Sequence, residues 1–174
     1  MILFEQDPVM QTEVPKETFF SRLPSALDRQ NLDRIITWII DASQYTEALG
    51  TLLGVGGTLK KRPPRKDIDL LWVPVKFDAM VRKTPYKRAT EEFGIMLRLV
   101  EVMLQKHPEL AMVRKTEPFV DPEFNSESIL AHDGSIELRF QDGVPIEIIR
   151  SHIAGMEEVR SFRLERREPF AVLT

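Results

Sequence analysis

Apolar residues recur at two different periods along this chain, and the switches between those periods mark out its elements. Leu32, Ile35, Ile36, Ile39 and Ile40 fall at helical spacing, which gives a helix with one stripe facing a core. That helix is predicted to begin at Ser25, with Asp28 three residues on as a capping pair, and to run to about Ala42. Trp38 falls off its stripe. A second stripe, Phe93, Met96, Leu97, Val100 and Leu104, follows Thr84 and Pro85, which suit the N-cap and first helical position, and it closes at His107 and Pro108. Between the two helices lie a short apolar strand over residues 51–55 and an alternating strand over residues 67–73. Residues 110–115 read as a further strand and 119–128 as a loop. Residues 1–20 are interrupted by proline and read as an extended lead-in. Val159, Phe162 and Leu164 are spaced as one helical face could be, and residues 169–174 look like a strand, with the assignment of 157–174 left open.

One hairpin is legible in more detail. Ile136, Leu138 and Phe140 precede Gln141, Asp142 and Gly143, and Val144, Ile146 and Ile148 follow. A three-residue loop with Gly143 in the left-handed region pairs Phe140 with Val144, Leu138 with Ile146 and Ile136 with Ile148, so all the apolar side chains share one face. Glu137 and Glu147 then sit side by side on the other face. A two-residue turn would pair Glu147 with Leu138 and mix the faces.

Composition narrows the class without choosing a function. The chain has 174 residues, 43% hydrophobic and 29% charged, enough to bury the core of one soluble domain. Lys and Arg number 24 against 27 Asp and Glu, a net charge of −3, so there is no global basic field for non-specific nucleic-acid binding, although a local patch is allowed. With no cysteine there are no disulfides and no thiolate metal sites. No run approaches a membrane span and the first residues lack the form of a signal peptide, so the expectation is a cytoplasmic protein.

The chemistry concentrates in one unit. The apolar strand ends at Gly56, Gly57 and Thr58, a turn where missing side chains let the backbone approach a phosphate. A basic run follows, Lys60, Lys61, Arg62, then Arg65 and Lys66, and after it come Asp67 and Asp69. Alternation on a strand points both aspartates the same way, about 6.5 to 7 Å apart along the chain, while Ile68 and Leu70 point into the core. A divalent cation fits between such a pair. The ordinary reading of the basic run is a solvated turn. Arg65, two residues before Asp67, is the member best placed to contact a phosphate. His107, His132 and His152 show no ligand spacing, and Ser151 and His152 face opposite ways as strand neighbours, which disfavours a hydrolase dyad. Trp38 and Trp72 read as packing residues.

An apolar strand, Gly-Gly, nine residues and Asp-Ile-Asp-Leu resemble the signature of the nucleotidyltransferase superfamily that shares the DNA polymerase β palm. The wording around Gly56, Gly57, Thr58, Arg65, Asp67 and Asp69 resembles short bacterial members, including toxin-type and abortive-infection enzymes. The resemblance implies a single α/β (α+β) domain over residues 1–174, with a mixed sheet, helices packed on one face and the metal site on the other. It implies a third carboxylate on a later strand, for which Glu147 is preferred to Glu137. It further implies Mg²⁺ or Mn²⁺ at Asp67, Asp69 and Glu147, with an NTP held by Gly56, Gly57, Thr58 and Arg65. A nucleoside monophosphate would pass to an acceptor of unknown class, a small molecule, an RNA end or a protein, with release of pyrophosphate. The alternative is a non-catalytic nucleotide-binding module or a toxin–antitoxin type of interaction module with a protein partner.

Overall fold

The computed structural model describes residues 12–46, 50–60, 67–77, 80, 83–123 and 129–174. In chain order the elements are β1 (Glu13–Val14), α1 (Lys16–Ser21), α2 (Ala26–Thr46), β2 (Gly50–Val55), α3 (Gly57–Lys60), β3 (Ile68–Pro74), α4 (Pro85–Lys106), β4 (Leu110–Thr116), β5 (Phe119–Val120), β6 (Leu130–His132), β7 (Ser135–Phe140), β8 (Ile146–Arg150), α5 (Met156–Arg166) and β9 (Phe170–Val172). Seven strands form one mixed sheet in the order β1-β9-β2-β3-β8-β7-β4, and β5 and β6 make a separate two-stranded sheet. Within the large sheet β3 runs antiparallel to β2 and parallel to β8, and β7 returns antiparallel to β8. This is the mixed α+β architecture expected from the sequence.

Both long helices start where their caps place them. Ser25 Oγ accepts the Asp28 amide at 3.1 Å, and Thr84 Oγ1 accepts the Lys87 amide at 3.3 Å with Pro85 opening α4. Helix α2 runs four residues past Ala42 because Ala42 is still buried and extends its core-facing stripe. Together α2 and α4 cover one face of the sheet. Leu32, Ile35, Ile36, Phe93, Met96 and Val100 pack there against Leu52, Ile68, Leu70, Trp72, Ile136, Leu138, Ile146 and Ile148. Ile40 is exposed instead, whereas Trp38 is half-buried and stacks on His107 with ring centroids 3.7 Å apart. The aromatic surface of Trp38 is covered by a ring from the end of α4, a partner that helical periodicity does not reveal.

On the opposite face Leu53, Val55, Val73 and Phe170 form a smaller cluster, closed by Val159 of α5. This settles residues 157–174 as a helix and a strand. Residues 16–21 form a helix rather than an extended lead-in, because Pro15 occupies its N-cap and Phe19 is fully buried in the main core. The segment read as a loop over 119–128 contributes β5, which pairs with β6; residues 124–128 lie outside the described residues. Among the described residues, no helix is long and apolar enough to cross a membrane.

Candidate metal centre

Burial of Ile68 and Leu70 sets the geometry of this site. Both are fully enclosed and Trp72 nearly so, and each such side chain contributes roughly 1.5 to 3 kcal/mol by leaving water. A slip of one residue would turn all three to the wrong face. Asp69 is thereby fixed on the other face, where it lies between Val55 of β2 and Glu147 of β8 in the strand register. The hairpin supplies Glu147 in the expected register, with Leu138 opposite Ile146, Glu137 opposite Glu147 and Ile136 opposite Ile148. The backbone of Gly143 has φ +106°. Pairing stops short of Val144, whose amide donates to Asp28 Oδ1 at 2.9 Å instead of to β7.

The structure brings Asp67, Asp69 and Glu147 together, each half-buried, with one carboxylate oxygen from each lying within 4.8 Å of the others. Glu137 lies beside Glu147 on the same face but turns to Arg114, whose Nη2 is 3.5 Å from its Oε1. Two oxygens bound to one Mg²⁺ at about 2.1 Å can lie no more than about 4.2 Å apart. A limit of 4.8 Å is therefore a small side-chain rotation from a shared ion, and it also suits two ions about 3.5 to 4 Å apart. The donors are all oxygen, which fits Mg²⁺ or Mn²⁺ better than Zn²⁺. Burial pushes the Asp69 carboxyl up to about 6, with the charges of Asp67 and Glu147 adding to the effect. A bound cation would relieve that crowding.

The glycine turn is built against this cluster. Gly56 has φ +76°, and a Cβ there would lie 2.5 Å from Asp69 Oδ2 and 3.0 Å from Asp69 Cβ, so the position excludes side chains on two grounds. The amides of Leu59 and Lys60 return to the Gly56 carbonyl at 3.1 and 3.3 Å, which closes the single turn of α3. Gly57 and Thr58 head that turn, where a helix leaves its amides without internal partners. Among the described residues, a Cβ on Gly57 would meet nothing within 4 Å. Thr58 is only 2% exposed, and its hydroxyl has no hydrogen-bond partner among the described residues. The turn is steadied from behind by Arg22, whose Nη1 donates to the Leu59 carbonyl at 3.1 Å. Arg65 and the rest of the basic run from 61 to 66 lie outside the described residues.

Two supporting arrangements escaped the sequence reading. Arg150 shares strand parity with Ile146 and Ile148, so it points into the protein and is fully buried. Its guanidinium donates to Glu92 Oε1 at 2.9 Å, to the Ser151 carbonyl at 2.8 Å and to the Asp133 carbonyl at 2.7 Å. Burial pulls Arg150 down and Glu92 up, and their mutual attraction opposes both shifts. The second arrangement joins α2 to the hairpin loop. Val144 donates its amide to Asp28 Oδ1 and Asn31 Nδ2 donates to the Asp142 carbonyl, both at 2.9 Å. In each case the signal was a polar residue at a position that periodicity assigns to the interior.

Comparison with known proteins adds little beyond this geometry. No protein-family model matches the chain, and no curated protein matches it. Among solved structures it is similar to terminal uridylyl transferase 4 from Trypanosoma brucei with bound UPU, at 11% identity and a TM-score of 0.45, over 91% of this chain and 44% of that one. The same enzyme with bound UTP and UMP aligns at 15% identity and a TM-score of 0.44, over 83% and 40% of the two chains. With bound dUTP it aligns at 13% identity and a TM-score of 0.45, over 91% and 45%. The chain thus spans less than half the length of these structures.

Proposed function

We propose that this chain is a metal-dependent nucleotidyltransferase, which moves a nucleoside monophosphate from an NTP to an acceptor hydroxyl or similar nucleophile and releases pyrophosphate. The observation that carries the reading is the convergence of Asp67, Asp69 and Glu147 within 4.8 Å of one another, on the strand face against which the Gly56 turn is packed. When bound, Mg²⁺ or Mn²⁺ supplies charge neutralisation, activation of the attacking oxygen and stabilisation of the departing pyrophosphate. Asp67, immediately before β3, and Asp69 within it would hold the metal. Glu147 would complete the ligand set from β8.

The triphosphate lies along the head of α3, against the amides of Gly57 and Thr58. The space beside Gly57, open among the described residues, is what an approaching phosphate requires, and in this reading Arg65 adds a cation. The Thr58 hydroxyl is enclosed, so in this reading Thr58 serves through its backbone, and its hydroxyl reaches a phosphate oxygen only if the turn opens. Crystals soaked with Mn²⁺ and a non-hydrolysable NTP analogue test the arrangement directly. Anomalous density between the three carboxylates, with the triphosphate against residues 56–58, is expected. Nucleotide bound elsewhere, or metal absent from the carboxylates, would refute it.

A further inference from the structure

Two buried polar side chains on α2 reach out of the helix and hold the loop that leads into Glu147. Asp28 and Asn31 are 3% and 2% exposed, and they sit on the core-facing stripe where an apolar residue is the default. Asp28 uses both carboxylate oxygens: Oδ2 accepts the Ser25 hydroxyl at 2.7 Å and Oδ1 accepts the Val144 amide at 2.9 Å. Asn31 Nδ2 donates to the Asp142 carbonyl at 2.9 Å. Gly143, between those two contacts, has φ +106°, and a Cβ on it would lie 2.6 Å from Asn31 Nδ2 and 2.9 Å from Asp28 Oδ1. The loop is therefore drawn against the helix so closely that only glycine fits at its centre. A backbone amide buried without an acceptor is costly, so the two side chains define where the loop must lie.

The loop is held on its other side by the aspartate strand. The carbonyl of Pro145 accepts the Ile68 amide at 2.9 Å, and Ile68 lies between Asp67 and Asp69. Glu147 follows Pro145 by two residues and pairs in register with Asp69. Helix α2, the loop at 142–145 and the start of β3 are thus tied in one chain of hydrogen bonds, and the three carboxylates stand at its end.

We propose that Asp28 and Asn31 are positioning residues, which fix the hairpin loop against α2 and thereby set Glu147 at the right height against Asp67 and Asp69. The metal consequence rests on the nucleotidyltransferase reading above, whereas the mechanical link does not. Neither side chain touches Glu147: the pair acts through the backbone of residues 142–144, so its loss should cost less than the roughly 10- to 100-fold in metal affinity that follows loss of a group bonded directly to a ligand.

The test compares Asp28→Ala, Asn31→Ala and Asp28→Asn with Leu99→Ala, a core truncation in α4 that lowers stability away from the loop. Mn²⁺ affinity is measured by electron paramagnetic resonance and melting temperature by calorimetry on the same samples. Asp28→Ala and Asn31→Ala are expected to weaken Mn²⁺ binding by up to roughly tenfold, the lower end of the cost of losing a direct ligand partner, while Leu99→Ala lowers the melting temperature and leaves the affinity alone. Asp28→Asn keeps an acceptor for Val144 and restores wild-type affinity. Wild-type Mn²⁺ binding in both alanine variants would overturn the proposal. Should Asp28→Ala fail to fold, Asn31→Ala, which removes one contact of the two, decides. If the wild-type protein itself binds no Mn²⁺, the transferase reading fails, and amide exchange judges the mechanical link separately. Faster exchange at Ile68 in Asn31→Ala, with α4 unchanged, supports it, and unchanged exchange at Ile68 overturns it.

Discussion

Asp69 stands where three acidic side chains meet, and its carboxyl is pushed up to about 6 from an ordinary value of 3.8. Between those two pH values the folded chain holds a proton at this site that the unfolded chain has released. Stability arising from Asp69 is therefore fully present below about pH 4 and is lost as pH rises through about 6. Asp69→Asn removes that dependence. In metal-free buffer the stability of Asp69→Asn relative to wild type should increase from pH 4 and level off above about pH 6.5, as read from paired thermal melts. A difference that does not change with pH would show that Asp69 is not crowded as described. The two glycines separate by a similar comparison. Gly56→Ala places a side chain in the left-handed region, at a cost of roughly 1 to 2 kcal/mol, and pushes Asp69 aside. Gly57→Ala meets open space, so stability should hold or rise by up to about 1 kcal/mol while NTP affinity falls. Denaturant titration and nucleotide titration of the two variants check this pair of outcomes.

Among the elements, the join between α4 and β8 carries the most concentrated electrostatic stake. Glu92 and Arg150 are 2% and 0% exposed and 2.9 Å apart, and removal of Glu92 leaves the buried Arg150 charge opposed only by the partly exposed Asp133 carboxylate at 3.3 Å. Glu92→Ala should cost about 3 to 5 kcal/mol in chemical denaturation, more than Arg150→Met and Glu92→Met combined in one chain. The elements themselves were legible where one local rule decided them. Ser25 with Asp28 and Thr84 with Pro85 started α2 and α4, and alternation through Ile136, Leu138, Ile146 and Ile148 set the hairpin register without further information. Three elements were not legible, for two reasons. Helix α1 depends on Phe19 entering the main core and α5 on Val159 covering Leu53 and Val73, partners too distant in sequence for periodicity to reveal. Strand β5 has its partner β6 only 10 to 13 residues on, but at two residues it is too short to show any alternation.

For the molecule as a whole, three adjacent strands bring remote positions together: Gly56 follows the end of β2, Asp69 lies on β3 and Glu147 on β8. The stretch from Gly56 to Asp69 was readable as a motif, because glycines and aspartates at short spacing have few structural uses together. The choice of Glu147 over Glu137 came from resemblance and strand pairing; in the structure Glu147 pairs in register with Asp69, and Glu137 lies 3.5 Å from Arg114. The supports behind the cluster, Asp28, Asn31, Glu92 and Arg150, were hidden because each takes its meaning from a backbone or side-chain group more than fifty residues distant. In the proposed reading the carboxylate cluster and the glycine turn bind a metal–nucleotide complex as one site. Calorimetric titration of the protein with each NTP, with and without Mg²⁺, measures this most directly when wild type is compared with the Asp67→Asn, Asp69→Asn double variant. Mg²⁺ should strengthen binding of at least one NTP to wild type, and the double variant should lose that enhancement. No heat from wild type at millimolar nucleotide, with or without Mg²⁺, would contradict the account.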